Sequence, residues 1–118
     1  MVLNKHSVLK GIYSPPGDKS ISHRILILAS QAIGNSKIYN LLQSEDVINT
    51  LKAMRLLGIR IKKKGNRYEV DGIPPGGLFK PKKKIDFGNS GTGIRLILGL
   101  ISSNNIEATV VGDRSLSK

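Results

Sequence analysis

The sequence predicts a small α/β (α+β) domain in which helices pack on a mixed sheet. Apolar residues at helical spacing alternate with short strand-like runs, and glycine or proline turns separate the two. Two alternating runs flank Lys64-Gly65-Asn66, which is typical of a β-hairpin. A chain of 118 residues has room for one small domain or part of one. These observations favour helices layered on a sheet.

The first half of the chain predicts two helices with a strand between them. An extended segment at about Leu9–Ser14 leads into a helix from about Lys19 to Ile33, which Gly34 would end. A strand follows at about Ser36–Asn40. Ser44 is a good N-cap for a second helix, which runs to about Leu57. The apolar face of that helix comprises Val47, Ile48, Leu51, Met54 and Leu57.

The second half predicts a hairpin, a loop and one further helix between two strands. In order, these elements are the strands Ile59–Lys63 and Arg67–Asp71, a loop over Ile73–Lys84, a strand at Ile85–Phe87, a helix at Gly91–Ser102 and a strand at Glu107–Val111. Alternation in the hairpin places one set of side chains inward, namely Ile59, Ile61, Tyr68 and Val70.

The stretch Pro15–Arg24 has the composition of an anion site at the start of a helix. Its glycine lets the backbone approach a ligand closely, and the first helical amides have no partner within the helix. Lys19 supplies a point charge, and Arg24 supplies a planar fork that can grip phosphate or carboxylate. Arg24 follows Ser20 by four residues, so the two share a helix face. An ordinary capped helix start with solvated charges is the alternative.

The stretch Gly88–Arg95 repeats this layout of strand, glycine turn, helix and arginine. It matches neither the G-x-G-x-x-G fingerprint nor a Walker loop. Two such loops in one small domain suggest a ligand with two anionic groups, or two anionic ligands. The alternatives are that Asn89 only shapes the turn and that Arg95 forms a surface salt bridge.

Composition limits the possible chemistry. The chain contains no cysteine, which excludes disulfides, thiolate zinc sites and thiol catalysis. Its two histidines, His6 and His23, are too few and too far apart to suggest a metal site. We expect no membrane span or export signal, since no apolar run approaches about 18 residues. A cytoplasmic location is the default expectation.

The formal net charge of +11 allows three interpretations. The main lysine clusters are Lys62–Lys64 and Lys80 with Lys82–Lys84. They could bind nucleic acid, steer anionic small substrates, or form a solvated surface. Aromatic residues make up only 4% of the chain and are not interleaved with the lysines, which disfavours nucleic acid. The clusters are distant in sequence from both glycine loops, which favours the solvated surface.

Four stretches together resemble one known family. They are Pro16–Arg24, Leu41–Asp46 with Thr50, Gly88–Arg95 and Gly112–Leu116. In this order and spacing they are similar to 5-enolpyruvylshikimate-3-phosphate synthases, the enolpyruvyl transferases of the shikimate pathway. Members of that family are several times longer, so the chain resembles an amino-terminal piece. One departure is Gly93, where the family often has threonine or alanine, and which we expect to loosen the turn slightly.

The resemblance implies a fold of two domains, each built from three β-α-β-α-β-β units, with the active site between them. This chain would hold one unit and the start of a second, and so an incomplete domain. Residues 1–14 would belong to the opposite domain, and residues 15–118 would form part of the amino-terminal substrate-binding domain. Without its sheet partner, the segment before about Ser14 is expected to be poorly ordered or swapped.

The resemblance also implies a reaction and a set of binding residues. The enolpyruvyl group of phosphoenolpyruvate would move to the 5-hydroxyl of shikimate 3-phosphate, with release of phosphate and without a cofactor or metal. Lys19 would contact both ligands and act in catalysis, while Ser20 and Arg24 would bind shikimate 3-phosphate. The phosphoenolpyruvate site would comprise Gly91, Asn89 and Arg95, together with Lys19.

Three alternative functions remain open at this point. The first is the related UDP-N-acetylglucosamine enolpyruvyl transferase, which usually carries a catalytic cysteine that this chain lacks. The second is a basic nucleic-acid-binding module. The third is a structural piece that needs the carboxy-terminal part of the same enzyme. Because the family's proton-transfer groups come from that part, we expect this piece alone to be inactive.

Overall fold

The computed structural model describes residues 10–117, which form three helices and five strands. In chain order these are α1 (Lys19–Gln31), β1 (Gly34–Tyr39), α2 (Glu45–Leu56), β2 (Arg60–Lys64), β3 (Arg67–Gly72), β4 (Ile85–Asp86), α3 (Gly91–Ser102) and β5 (Val110–Val111). Helices and strands alternate as predicted, which confirms the mixed α/β class.

The strands form two small sheets that differ in how their strands pair. β1, β3 and β2 form an antiparallel sheet in that order, whereas β4 and β5 pair in parallel. The parallel pair needs a crossover, and α3 supplies it between the two strands. Parallel and antiparallel pairings are therefore both present, but the described residues place them in separate sheets.

The hairpin of β2 and β3 turns the predicted side chains toward the core. Ile61 pairs with Val70 across the two strands, and both side chains are buried. Ile59 and Tyr68 are also buried, and the Tyr68 hydroxyl donates to Gln43 Oε1 at 2.9 Å. A slip of one residue would turn this whole set to solvent, so burial fixes the register.

The core lies where the three helices meet the two sheets. α1 contacts α2, α3 and β3, while α2 also contacts β2 and β4. Aliphatic residues dominate this core, as the low aromatic content predicts. Its fully buried members include Leu26, Val47, Met54, Leu57, Val70, Ile85, Phe87 and Ile97.

The end of α1 and the start of β1 differ from the sequence prediction. The helix ends at Gln31 instead of Ile33, and β1 starts at Gly34 instead of Ser36. A contact with β3 explains the early end, because the amide of Ile73 donates to the Ser30 carbonyl at 2.9 Å. One carbonyl group of the last turn is thus satisfied by another segment of the chain.

The last strand is also shorter than predicted. β5 spans only Val110–Val111, whereas the sequence predicted Glu107–Val111. Its partner β4 has two residues, so the ladder runs from Ile85 with Val110 to Asp86 with Val111 and no further. The length of the partner strand therefore limits β5.

The predicted extended lead-in falls mostly outside the described residues. Residues 1–9 are not described, so the expectation that they are poorly ordered or swapped stays a prediction. Residues 10–14 form neither helix nor strand, and the side chains of Ile12 and Tyr13 are exposed. Within the described part of the chain, no helix is long and apolar enough to cross a membrane.

Candidate functional site

The first glycine loop ends in a capped helix start. The carboxylate of Asp18 accepts the amide of Ile21 at 2.7 Å, so one of the free helical amides is already occupied. Lys19 and Ser20 stand exposed in the first turn, and Arg24 lies exposed one turn later. These three side chains are therefore open to a ligand, whereas the amide of Ile21 is not.

Lys19 has an acidic partner on α2. Its Nζ atom lies 2.6 Å from Asp46 Oδ2, and 56% of the lysine side chain is exposed. The sequence placed Asp46 only in the first turn of a helix, where acidic residues are favourable. In the folded chain it neutralises the lysine that the first loop presents.

Hydrogen bonds between residues close in sequence hold the second glycine loop in place at the start of α3. Gly88 has φ 53°, a conformation that glycine adopts readily, and its amide donates to Asp86 Oδ1 at 2.8 Å. Ser90 caps α3 by accepting the amide of Gly93 at 3.2 Å. Asn89 is exposed and Gly91 is half-buried, so this turn of backbone remains accessible.

The first two turns of α2 touch both loops. Asp46 contacts Lys19, while Asn49 Nδ2 donates to the carbonyl of Phe87 at 3.3 Å, immediately before Gly88. A Cβ atom on Gly88 would lie 3.2 Å from the same Asn49 amide nitrogen. The starts of α1 and α3 therefore lie on the same side of the domain, on either side of one helix start.

The turn at residues 112–117, which includes the stretch Gly112–Leu116 of the family resemblance, adds a third wall to the site. The amide of Asp113 donates to the Gly88 carbonyl at 2.8 Å, and Ser115 Oγ lies 3.4 Å from Asn89 Oδ1. The Asp113 carboxylate accepts the Ser115 hydroxyl and the amides of Ser115 and Leu116. These hydrogen bonds hold the pKa of Asp113 below its usual value, and the bond from the Ser115 hydroxyl has the largest effect.

The two arginines of the predicted site lie exposed on neighbouring helices. Arg24 lines a small groove with Ile27, Leu28 and Leu96, which places it beside the first turns of α3, where Arg95 is located. Among the ion pairs within residues 10–117, none involves either arginine. Both guanidinium groups are thus available to anions, and the described residues do not show the salt bridge considered for Arg95.

The lysine clusters lie elsewhere on the surface. Lys62, Lys63 and Lys64 are exposed on β2, and Lys64 pairs with Glu69 at 2.8 Å. Lys80 pairs with Glu107 at 2.6 Å, away from both loops. Residues 10–117 contain no group of three or more potential metal-ligating side chains.

Although a glycine at position 93 is expected to loosen the turn slightly, neighbouring side chains enclose this residue tightly. A Cβ atom at this position would lie 2.7 Å from Phe87 Cδ1 and 2.8 Å from Ser90 Oγ. We expect Gly93→Ala to lower the free energy of unfolding by about 1–3 kcal/mol through overpacking. Urea denaturation measures the loss, and adding Phe87→Leu, which removes the obstructing ring edge, should reduce the penalty of the alanine. Equal penalties in the two backgrounds would contradict this account.

Comparison with known proteins places this chain in a family. The family model described as EPSP synthase (3-phosphoshikimate 1-carboxyvinyltransferase) matches residues 3–118. Proteins named 3-phosphoshikimate 1-carboxyvinyltransferase include one from Rhizobium johnstonii, 46% identical over 97% of this chain and 25% of that protein. Another, from Streptococcus suis, is 49% identical over 93% of this chain and 26% of that protein.

A solved structure shows the same arrangement of elements. An EPSP synthase from Acinetobacter baumannii superimposes with a TM-score of 0.85 at 37% identity, over 92% of this chain and 25% of that one. The chain thus spans about a quarter of the length of the curated relatives it matches. On the family match over nearly the whole sequence, the chain belongs to the EPSP synthase (3-phosphoshikimate 1-carboxyvinyltransferase) family.

Proposed function

We propose that the chain forms the shikimate 3-phosphate-binding part of an enolpyruvyl transferase. The reaction moves the enolpyruvyl group of phosphoenolpyruvate to the 5-hydroxyl of shikimate 3-phosphate and releases phosphate. One observation carries the proposal: the start of α2 contacts both Lys19 and the backbone that leads into the second glycine loop. Two loops suited to anions, placed on either side of one helix start, fit two anionic substrates.

Lys19 is the residue to which we assign a catalytic role. Shikimate 3-phosphate and phosphoenolpyruvate repel each other, so a cation between them lowers the cost of their approach. The exposed ammonium of Lys19 can turn from Asp46 toward incoming phosphate or carboxylate. Ser20 and Arg24, exposed on the same helix, would bind shikimate 3-phosphate through a hydroxyl and a guanidinium group.

The second loop would receive phosphoenolpyruvate. The start of α3 favours negative charge because its first amides have no partners within the helix. The backbone amide of Gly91 would bind the ligand there, with the Asn89 amide group and the Arg95 guanidinium nearby. The Asn89 side chain is exposed, so it can turn its amide group toward the ligand.

The remaining parts of the proposal concern partners and location. We infer that the chain acts with the rest of a polypeptide about four times as long, since it spans about a quarter of its relatives. On its own it would bind substrate without turnover. We place the enzyme in the cytoplasm, without a cofactor and without a nucleic-acid partner.

Nuclear magnetic resonance titration of the 118-residue chain with shikimate 3-phosphate tests the proposal. We expect amide shifts to concentrate in residues 19–24 and 89–95, because the ligand contacts those loops. Shikimate without phosphate should cause much smaller shifts. No shift in either loop at millimolar ligand would overturn the proposal. Shifts centred on the lysine clusters, with stronger shifts from a DNA oligonucleotide, would favour a nucleic-acid-binding module instead.

A further inference from the structure

We propose that His23 is a positioning residue, which holds the first turns of α1 against α2 through Thr50 and thereby sets the place of Lys19 and Arg24. The inference rests on the proposed function, because the position of these cations matters only if they bind anions. It adds to that function a buried contact that determines where the exposed cations stand.

The two helices are joined by two contacts one turn apart. Lys19 meets Asp46 at 2.6 Å, and His23 Nδ1 lies 2.8 Å from Thr50 Oγ1. His23 follows Lys19 by four residues, and Thr50 follows Asp46 by four, so both pairs lie on facing sides of their helices. The outer contact is exposed and free to open for a ligand, whereas the inner one is buried.

The inner contact is fully enclosed. The side chains of both His23 and Thr50 are 0% exposed. Arg24 is the next residue along α1, so a rotation or shift of the helix at His23 displaces both cations at once. Ser22 also anchors this helix start, because its hydroxyl oxygen accepts the amide of Leu42 at 3.1 Å. The His23–Thr50 pair is a buried hydrogen bond between the side chains of α1 and α2, so it sets how this helix start lies against α2.

Packing alone is a poor explanation for a histidine at this position. Its Nε2 atom is buried and has no hydrogen-bond partner among the described residues. A buried polar atom without a partner is unfavourable, and an aliphatic side chain would avoid that cost. The polar ring is therefore best explained by its bond to Thr50 through the other nitrogen.

The imidazole also suits the site because burial favours its neutral form. Burial lowers the pKa of His23 below its ordinary value; Lys19 and Arg24 reinforce this effect, and Asp46 opposes it. A neutral ring adds no competing cation beneath Lys19. It can hold the helices together while the positive charge stays on the two exposed side chains that face the ligand.

Substitutions at Thr50 test the role while leaving the histidine in place. We expect Thr50→Val, which keeps the shape and removes the hydroxyl, to weaken shikimate 3-phosphate binding about 2- to 10-fold, as for loss of one hydrogen bond. Thr50→Ser retains the hydroxyl and should bind nearly as the unmodified chain does. Ser30→Ala is the matched control, because Ser30 is buried on the same helix and its hydroxyl bonds only within that helix, to the carbonyl of Ile27 and the side chain of Gln31.

Affinity is measured by titration well below the lowest melting temperature, so that stability and binding are separated. Ser30→Ala should keep its affinity, because the change removes no contact between α1 and α2. If Thr50→Val also keeps its affinity, or if Thr50→Ser loses as much as Thr50→Val, His23 has no positioning role. Amide exchange at Ile21–Arg24 gives a second measure that needs no ligand, and it should quicken in Thr50→Val but not in Ser30→Ala.

If the unmodified chain fails to bind shikimate 3-phosphate, the proposed function fails and the exchange measurement decides the inference. Faster exchange in Thr50→Val alone would then still show that the pair fixes the start of α1. Equal exchange in all variants would overturn the inference as well.

Discussion

The Lys19→Met variant is expected to bind shikimate 3-phosphate about 10- to 100-fold more weakly than the unmodified chain, as for loss of a hydrogen bond to a charged group. Methionine keeps much of the length of the side chain and removes the ammonium. The exposed start of α1 should tolerate this change, because Lys19 contributes to no buried contact. Titration calorimetry or chemical-shift titration at fixed salt measures the loss.

The expected loss reflects two opposing effects of the ion pair with Asp46. An anion must compete with that carboxylate for Lys19, which reduces the gain from the lysine. Removing the lysine also leaves Asp46 without its partner beside the site, where its negative charge repels phosphate. The second effect makes the loss larger than the deletion of a simple surface charge, for which contributions are small.

Lys62→Met is the matched control for this substitution. Lys62 is exposed on β2, and the change removes the same single charge. Its effect should stay below about twofold, because at physiological salt the Debye length is only about 8 Å. If both variants lose affinity equally, the general positive charge of the chain attracts the ligand, and Lys19 has no specific part in binding.

Local signals in the sequence account for the elements that were predicted well. Ser44 caps α2 by accepting the amide of Val47, as its place before an apolar periodic run indicates. The predicted bounds of α3, Gly91–Ser102, are those of the structure. In each case the residues that decide the element lie within it or beside it.

Element ends that depend on distant residues were predicted less well. α1 ends two residues early because β3 runs against its last turn. A Cβ atom on Gly72 would lie 1.9 Å from the Ala32 carbonyl oxygen, so only glycine permits this approach. Nothing near Gln31 in the sequence indicates the contact. The shortened β5 is a second case, because its length depends on β4.

In the candidate site, too, features with local sequence signals were predicted and contacts between distant residues were not. The two loops were predicted because glycine, hydroxyl and arginine residues occur there in a recognisable order. Asp46 and Asn49 were not predicted as site residues, since they meet Lys19 and Phe87 across 27 and 38 positions of sequence. Asn49 is itself buried on α2, and a polar side chain among apolar neighbours was the signal that could have found it.

Phe87→Ala is expected to lower the free energy of unfolding by about 3–5 kcal/mol, the range for truncating a buried aromatic residue. The ring is 0% exposed and lies against Gly93, so its removal leaves a cavity under the second loop. The backbone of Phe87 donates to the Val111 carbonyl and accepts from Asn49. Loss of the ring should therefore loosen β4, the start of α2 and the glycine loop together. Urea denaturation followed by circular dichroism measures the change.

Phe79→Ala provides the control, because Phe79 is the only other phenylalanine of the chain and its side chain is 65% exposed. Its ring covers Gly58 at the surface, so its truncation should cost less than about 1 kcal/mol by the usual burial estimate. Similar losses for the two variants would mean that Phe87 does not support the core as described. If Phe87→Ala remains folded, its amide shifts should be largest at residues 88–95 and at Asn49, because those residues enclose the ring or bond to its backbone. Shifts confined to β4 would show that the glycine loop keeps its shape without this support, and that the hydrogen bonds of Ser90 and Asp113 suffice to hold it.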